Sequence, residues 1–301
     1  MKMRILTLML ACSLICGSVR ADDSDAIQLL EKAGAVFQRD DSQKNKPITL
    51  LTWNLRQVTS EGNSALRELE ELPAIDLRGS GVTDLPVETV RSLQGKSSLK
   101  RFKISHAKIS DDSAKILGTL KSLDALELHA QIELSAQGWL EILRLSNLKE
   151  LTISDRLVSD DALADLGKLA GLKSLSARGL FITDAGIAAV ARLKNLKILR
   201  IFVTPRVSDE SLKRLDELRL NELELTCFDV TEVRLKELRK MSGLKTLRLL
   251  GAKAVTDETV PYLAEMTDLK ELEVVGGQLS KAGLKELKAA LPHCKFAQVS
   301  Q

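Results

Sequence analysis

The sequence predicts an α/β solenoid, a curved right-handed superhelix with a parallel sheet on its concave side and helices on its convex side. Three observations predict this fold. Leucine supplies 56 of the 301 residues, whereas aromatic residues supply only 3%. A Leu-x-x-Leu-x-Leu frame returns every 24 to 27 residues. Within each unit the apolar spacing changes from alternate residues, as in a strand, to the spacing of a helix. Such units stack because none can bury its apolar face alone.

The segment 1–21 has the composition of a secretory signal peptide. Lys2 and Arg4 precede an apolar run over 5–16, and Ala21 ends the segment with a small side chain. The apolar run is shorter than the roughly 20 residues that span a bilayer, although an uncleaved membrane anchor remains an alternative. We therefore predict cleavage after Ala21, export to the periplasm, the cell surface or the medium, and no membrane span in the mature chain.

Residues 22–47 are predicted to form an N-terminal cap. The spacing of Ile27 and Leu30 predicts a helix over 25–32, and Gly34 ends it. A strand over 35–39 then turns through polar residues and returns as the strand over 48–53. An open sheet edge invites aggregation, so this helix and hairpin would cover the first repeat.

Ten repeats are predicted over 48–293. In each repeat the apolar positions of the frame alternate with polar ones, which predicts a short strand with one buried face. Residues 294–301 are predicted to be a closing strand, with Cys294, Ala297 and Val299 at the frame positions. The ten frames begin at Ile48, Leu72, Leu99, Leu123, Leu148, Leu172, Leu196, Leu220, Leu244 and Leu269.

A helix start is predicted about ten residues after each frame begins. There an aliphatic residue precedes Ser or Thr and usually Asp, and amphipathic spacing follows. A hydroxyl caps free N–H groups, and a carboxylate favours the positive end of the helix dipole. The aspartates could instead form a calcium-binding edge, but capping accounts for each of them without an ion. They are Asp84, Asp111, Asp160, Asp184, Asp209 and Asp257.

Over residues 48–299 these frames and steps resemble the leucine-rich repeat proteins. The segment LKSLSARGLFITDAGIAAVARLKN at 172–195 carries the resemblance most clearly. The Ser/Thr-Asp step and a full helix are similar to the ribonuclease-inhibitor-like and cysteine-containing subtypes, and the N-terminal cap resembles that of exported bacterial members. The Asn of many subtypes is absent from the ninth frame position, so the resemblance implies no Asn ladder. The family spans many functions.

No catalytic or metal-binding pattern is found, so we predict a protein that is not an enzyme and has no cofactor and no metal. The sequence lacks a Walker loop, a Gly-x-Ser-x-Gly and a Gly-x-Gly-x-x-Gly. His106, His129 and His293 have no metal-ligand spacing. Cys227 and Cys294 would lie three strands, about 14 Å, apart, beyond disulfide reach.

The charge of the chain offers no general attraction to nucleic acid. The formal net charge is +3, and all of this excess lies in the segment 1–21. Without that segment the basic and acidic residues balance at 41 each. A mature chain without net charge has no global electrostatic reason to bind nucleic acid or an anionic membrane. We also expect the chain to be a monomer.

The remaining chemistry lies on the concave strand face. There Ile198 and Phe202 flank Arg200, and nothing in the frame requires an apolar side chain at these two positions. Exposed apolar and Arg side chains together are typical of protein-binding hot spots. The alternative interpretation is a solvated salt-bridge ladder, because charge signs alternate on neighbouring strands. The candidate binding residues are Arg178, Ile198, Arg200, Phe202, Arg248 and Leu250.

Two functions are compatible with such a face. The first is a secreted or periplasmic scaffold that binds a protein or peptide there. The second is a carbohydrate- or cell-wall-binding module that uses the same face. Sugar-binding sites usually offer aromatic platforms, and here only Phe202 and Phe296 qualify. The sequence therefore favours a protein or peptide partner.

Overall fold

The computed structural model describes residues 21–80, 84–155, 158–227 and 231–297. The predicted signal peptide lies outside these residues except for Ala21, at which the first helix begins. In the described part of the chain no helix combines the length and the hydropathy that a membrane span requires.

The described strands form one open sheet whose order follows the chain from β1 to β12. The pair β1–β2 is antiparallel and all later pairs are parallel. Strands alternate with helices, so the predicted α/β solenoid is confirmed. The strands are β1 Val36–Arg39, β2 Ile48–Asn54, β3 Ala74–Arg78, β4 Arg101–Ile109, β5 Ala125–Ile132, β6 Glu150–Ser154, β7 Ser174–Arg178, β8 Ile198–Val203, β9 Glu222–Cys227, β10 Thr246–Leu250, β11 Glu271–Val275 and β12 Lys295–Ala297.

The helices of the repeats are shorter than the full helix that the resemblance implies. After the helices Asp160–Leu163 and Asp209–Leu212 the chain continues as 3-10 turns at Leu166–Lys168 and Lys213–Leu218. Gly167 lies in the first of these turns, and glycine weakens a helix because it loses more backbone entropy than other residues. The helices are α1 Ala21–Lys32, α2 Ser60–Glu68, α3 Val87–Arg91, α4 Asp111–Leu117, α5 Ala136–Ile142, α6 Asp160–Leu163, α7 Asp184–Val190, α8 Asp209–Leu212, α9 Glu232–Leu238, α10 Val260–Ala264 and α11 Lys281–Ala290.

One continuous apolar core runs between the sheet and the helices. The frame residues fill it, and Leu172, Leu175 and Ala177 of one repeat are all fully buried. Trp139 is also buried, at the place of the usual aliphatic residue, as predicted. Because neighbouring repeats share this core, each repeat is stabilised by the next.

The N-terminal segment packs on the first repeat. Leu30 of α1 is fully buried, and Gly34 follows the helix with a φ of 78°, a left-handed conformation that favours glycine. The indole Nε1 of the buried Trp53 donates to the carbonyl oxygen of Ala33 at 2.7 Å. Asp23 accepts a hydrogen bond from the N–H of Glu70 at 3.0 Å, which joins the start of α1 to the end of α2.

The register of the closing strand differs from the prediction by one residue. Phe296 pairs with Leu272, and Ala297 pairs with Glu273. Phe296 therefore takes the inward position that the frame beginning at Cys294 gave to Ala297, and it packs against the core. The larger apolar side chain gains more from burial, which explains the shift. Val299 lies outside the described residues.

Hydroxyl caps are present at the starts of most helices. Thr183, for example, accepts a hydrogen bond from the N–H of Ala185 at 3.3 Å. Ser159 and Thr256 are exceptions, because their side chains make no cap hydrogen bond. The capping hydroxyls belong to Thr59, Ser110, Ser135, Thr183, Ser208, Thr231 and Ser280.

Aspartates next to five of the Ser or Thr residues at helix starts bind the next repeat, a contact that the sequence did not predict. The carboxylate of Asp184 accepts hydrogen bonds from the N–H and the hydroxyl of Ser208 at 2.7 and 2.8 Å. Each such aspartate thus holds the helix start of its neighbour. We call these contacts the aspartate ladder. Its members are Asp111 with Ser135, Asp160 with Thr183, Asp184 with Ser208, Asp209 with Thr231, and Asp257 with Ser280.

Candidate functional site on the strand face

The outward residues of β7 to β10 lie in direct register. Ser176 pairs with Arg200, Arg200 with Glu224, and Glu224 with Arg248. Residues two apart on a strand point to the same face, and neighbouring strands lie about 4.8 Å apart. The alternating charges of the sequence are therefore lateral neighbours on this face.

Two glutamates of β9 join the three predicted arginines. Glu222 Oε1 accepts from Arg200 Nη2 at 2.7 Å and from Arg248 Nη1 at 2.6 Å. Glu224 Oε1 accepts from Arg178 Nη2 at 2.7 Å. The structure thus brings Arg178, Arg200 and Arg248 together around β9.

Glu224 is the most buried member of this cluster, with 6% of its surface exposed. Its second oxygen, Oε2, lies 3.7 Å from Arg200 Nε, so two guanidinium groups compensate its charge. A buried carboxylate is costly unless it is paired. The arginines therefore stabilise the sheet through lateral salt bridges. The binding of a partner at this face stays a prediction.

Arg248 extends the cluster to β11. Its Nη2 and Nε lie 3.4 Å from Glu271 Oε1 and 3.3 Å from Glu273 Oε2. Burial lowers the pKa of Arg248, but the carboxylates of Glu222 and Glu271 outweigh that effect and hold its pKa above the ordinary value. The guanidinium stays charged and is already saturated with carboxylate partners. A partner that engages it must compete with these contacts.

The predicted apolar residues of the face are half-buried. Ile198, Phe202 and Leu250 each lose part of their surface to neighbouring side chains, whereas Arg178 is exposed. Ile198 and Leu250 lie two strands apart, separated by β9. The apolar area offered at these positions is therefore smaller than the sequence suggests.

Leu180 and Phe181 are the exposed apolar side chains nearest to the candidate residues in sequence, and we did not predict them as binding residues. They follow β7 directly and are 39% and 41% exposed. The guanidinium carbon of Arg206 lies 5.3 Å from the centre of the Phe181 ring, a cation–π geometry. The signal in the sequence was a Phe outside the leucine frame, in a chain with six Phe.

A second charged cluster lies on strands β4 to β6. Glu127 Oε1 accepts from Arg101 Nη1 at 3.0 Å, and Glu127 Oε2 lies 3.5 Å from His129 Nε2. The hydrogen bond with His129 lowers the pKa of Glu127. Burial opposes this effect and the contact with Arg101 adds to it, so the pKa of Glu127 stays below its ordinary value. This cluster contains no exposed large apolar side chain.

No metal centre is found in the described residues, where no group of three His, Cys, Asp or Glu could hold an ion. Cys294 is a free thiol, and burial raises its pKa. The positive φ of His106, 55°, coincides with an irregularity in the register between β4 and β5.

No protein-family model matches the sequence, and neither does any curated protein. Among solved structures, the chain is similar to an internalin from Listeria monocytogenes at 18% identity and a TM-score of 0.54, over 79% of this chain and 70% of the internalin. It is also similar to a leucine-rich repeat protein of Leptospira interrogans at 15% identity, over 82% of this chain and 88% of that one; this TM-score, 0.32, is too low to bear on the fold. The internalin likeness shows the leucine-rich repeat fold.

Proposed function

We propose that this chain is an exported, non-enzymatic and monomeric scaffold that binds a protein or peptide on the concave face of its solenoid. One observation carries the proposal: the strand face from β7 to β10 places the arginine cluster beside Ile198 and Phe202. The exposed Leu180 and Phe181 follow Arg178 by two and three residues. Aromatic and Arg side chains are the residues in which binding energy concentrates at protein interfaces.

Leu180 and Phe181 extend the proposed surface beyond the strands. Apolar area that stays in water contributes nothing to folding, whereas its burial against a partner contributes roughly 25 cal/mol per Å². The Arg206 side chain covers one part of the Phe181 ring and adds a cationic group. The partner that fits has apolar side chains and carboxylates.

Binding should be measured after a partner has been captured from the exported proteins of the source cell and identified. Phe202→Ala and Phe181→Ala are each expected to weaken its affinity by about 1–2 kcal/mol, as truncated hot-spot residues do. Ser105→Ala is the control, since Ser105 is a strand-face residue of β4 outside the proposed surface. Equal affinities of the parent and all three variants would place the interface elsewhere.

Export rests on the segment 1–21. Cleavage after Ala21 would leave Asp23 in place, and Asp23 is the buried acceptor that joins α1 to the end of α2. The N-terminal cap would therefore survive processing. N-terminal sequencing of the protein from the medium or periplasm should begin at Asp22, and a mature protein that retains Met1 would contradict the proposal.

A further inference from the structure

A column of lysines lies at the edge of the sheet where the parallel strands begin. In most repeats the residue directly before the strand is lysine, and in the last one Lys295 is the first residue of β12 and makes the equivalent backbone hydrogen bond. Counted in this way, seven of nine consecutive positions carry a lysine. We call these nine residues the lysine column. They are Lys100, Asp124, Lys149, Lys173, Lys197, Asn221, Lys245, Lys270 and Lys295.

Backbone hydrogen bonds align the column. The N–H of Lys173 donates to the carbonyl oxygen of Lys149, and that of Lys197 to the carbonyl oxygen of Lys173, both at 2.8 Å. The same bond recurs at 2.8 Å between all neighbours from Lys100 to Lys295. The positions are therefore spaced as adjacent strands, about 4.8 Å apart.

The centre of the column carries three lysines in succession. Lys149, Lys173 and Lys197 occupy three consecutive repeats and are exposed. Lys149 Nζ is ion-paired with Asp124 Oδ2 at 3.2 Å. Among the described residues, Lys197 Nζ donates only to the carbonyl oxygen of Arg219, at 3.4 Å. Within the described residues Lys173 Nζ has no hydrogen-bond or ion-pair partner. No acidic residue occurs within two positions of Lys173 or Lys197.

The fold itself does not require lysine here. Asp124 and Asn221 occupy the same position and make the same backbone hydrogen bonds. Lysines in the last turn of a helix would complement its dipole, but the column residues lie at the starts of strands. The aspartate ladder lies at the other edge of the solenoid, at the helix starts. Within the described residues the ladder carboxylates make no ion pair with the column lysines, whereas Asp124 and Asp268 pair with Lys149 and Lys245.

We propose that the lysine column binds a linear polyanion laid along the solenoid axis, across successive repeats. A polymer with one sulfate, phosphate or carboxylate group per 5 Å or so matches the spacing of the lysines and would release its counterions on binding. A membrane surface fits less well, because stable anchoring to a membrane takes an apolar insertion or a lipid in addition to a basic patch. The exposed large apolar residues of the described chain, Leu29, Val36, Leu180, Phe181 and Val233, all lie outside the column.

Dextran sulfate and neutral dextran of equal length are the test probes. The full chain is expected to bind dextran sulfate, with an affinity that falls steeply as salt rises, and to leave neutral dextran unbound. The triple variant Lys149→Gln, Lys173→Gln and Lys197→Gln should bind roughly a hundredfold more weakly, since each lysine near an anionic surface contributes a factor of about five. The same three positions changed to Arg should retain binding.

A matched variant removes three exposed lysines elsewhere, by Lys44→Gln, Lys253→Gln and Lys281→Gln. If both triple variants lost the same affinity for dextran sulfate, the effect would be one of net charge and the proposal would be wrong. An absence of dextran sulfate binding by the parent at low salt would also overturn the proposal. Tighter binding to phosphatidylserine vesicles than to dextran sulfate would overturn it in favour of a membrane. Thermal unfolding of each variant checks that the fold is intact.

Discussion

The carboxylate of Asp160 accepts two hydrogen bonds from Thr183, which lies one repeat further along the chain. The N–H of Thr183 lies 2.8 Å from Oδ1, and its hydroxyl lies 2.5 Å from Oδ2. The same hydroxyl oxygen accepts from Ala185 and caps α7. Thr183 thus caps a free N–H group at the start of α7 and also anchors α7 to the preceding repeat. Hydrogen bonds to a charged group are stronger than those between neutral groups.

Replacing Thr183 and Asp184 together by Ala is expected to cost about 2–4 kcal/mol of unfolding free energy. A lost cap accounts for about 1 kcal/mol, and the lost contacts to Asp160 and Ser208 account for the remainder. The measurement is urea unfolding followed by circular dichroism. The control is Asp161→Ala, because Asp161 is exposed and has no hydrogen-bond partner among the described residues.

Calcium should leave the melting temperature of both the parent and the double variant unchanged. In the ladder each carboxylate is already occupied by the hydrogen bonds of the next repeat, as at Asp184 and Ser208. If calcium raised the melting temperature of the parent and the double variant lost that rise, the aspartates would form an ion-binding edge.

The ladder also predicts that the protein loses stability in acid. Burial alone raises the pKa of Asp184, but the N–H and hydroxyl of Ser208 outweigh it and hold the pKa below the ordinary value. The hydroxyl and N–H of Ser280 lower the pKa of Asp257 in the same way. A lowered pKa in the folded state stabilises the protein above the unfolded value, about 3.9, and this contribution is lost as the pH falls through the folded values.

The unfolding free energy should therefore be level above about pH 5 and fall below about pH 4. The double variant Asp184→Asn and Asp257→Asn should show a shallower fall over that range than the parent. Asp161→Asn is the matched control and should keep the slope of the parent. If the unfolding free energy of the double variant fell as steeply with pH as that of the parent, the loss of stability in acid would not arise from the aspartate ladder.

Gly186→Ala is expected to destabilise the protein by about 1–3 kcal/mol, although alanine is the better helix former. A Cβ on Gly186 would lie 2.4 Å from Asp160 Oδ1, which Thr183 holds in place. Gly167→Ala is the control: its Cβ would meet nothing closer than 3.6 Å. That variant should be neutral or more stable by up to about 1 kcal/mol. Equal effects of the two changes on urea unfolding would contradict this account.

Periodicity predicted the strands because the frame repeats a buried pattern that each unit needs. Leu199 and Ile201 are buried as the frame requires, and Arg200 between them points outward. The periodicity did not predict the contacts between repeats. Asp160 and Thr183 lie in successive repeats, and a single repeat contains no sign that one binds the other.

The candidate site was predicted less completely for a similar reason. The frame placed Ile198 and Phe202 on the outward face, but how much of each side chain stays exposed depends on neighbours from other strands. Phe181 lies in the loop after β7, where no frame position exists to predict its exposure. The register of β12 was predicted one residue out, because the frame there holds Cys294 and Ala297 in place of leucines and the larger Phe296 takes the inward position.

Leu30→Ala is expected to lower the unfolding free energy by about 2–4 kcal/mol, whereas Leu29→Ala should change it by less than about 0.5 kcal/mol. The two leucines are adjacent in α1, yet Leu30 is fully buried and Leu29 is 43% exposed. Burial of Leu30 follows from packing of α1 against the first repeat, which is the role expected of residues 22–47 as a cap. Weaker packing of this cap should also loosen β1, which covers the edge of β2. Leu30→Ala should therefore associate on heating, while Leu29→Ala stays monomeric in light scattering. Equal unfolding free energies for the two variants would mean that α1 does not cover the first repeat in solution.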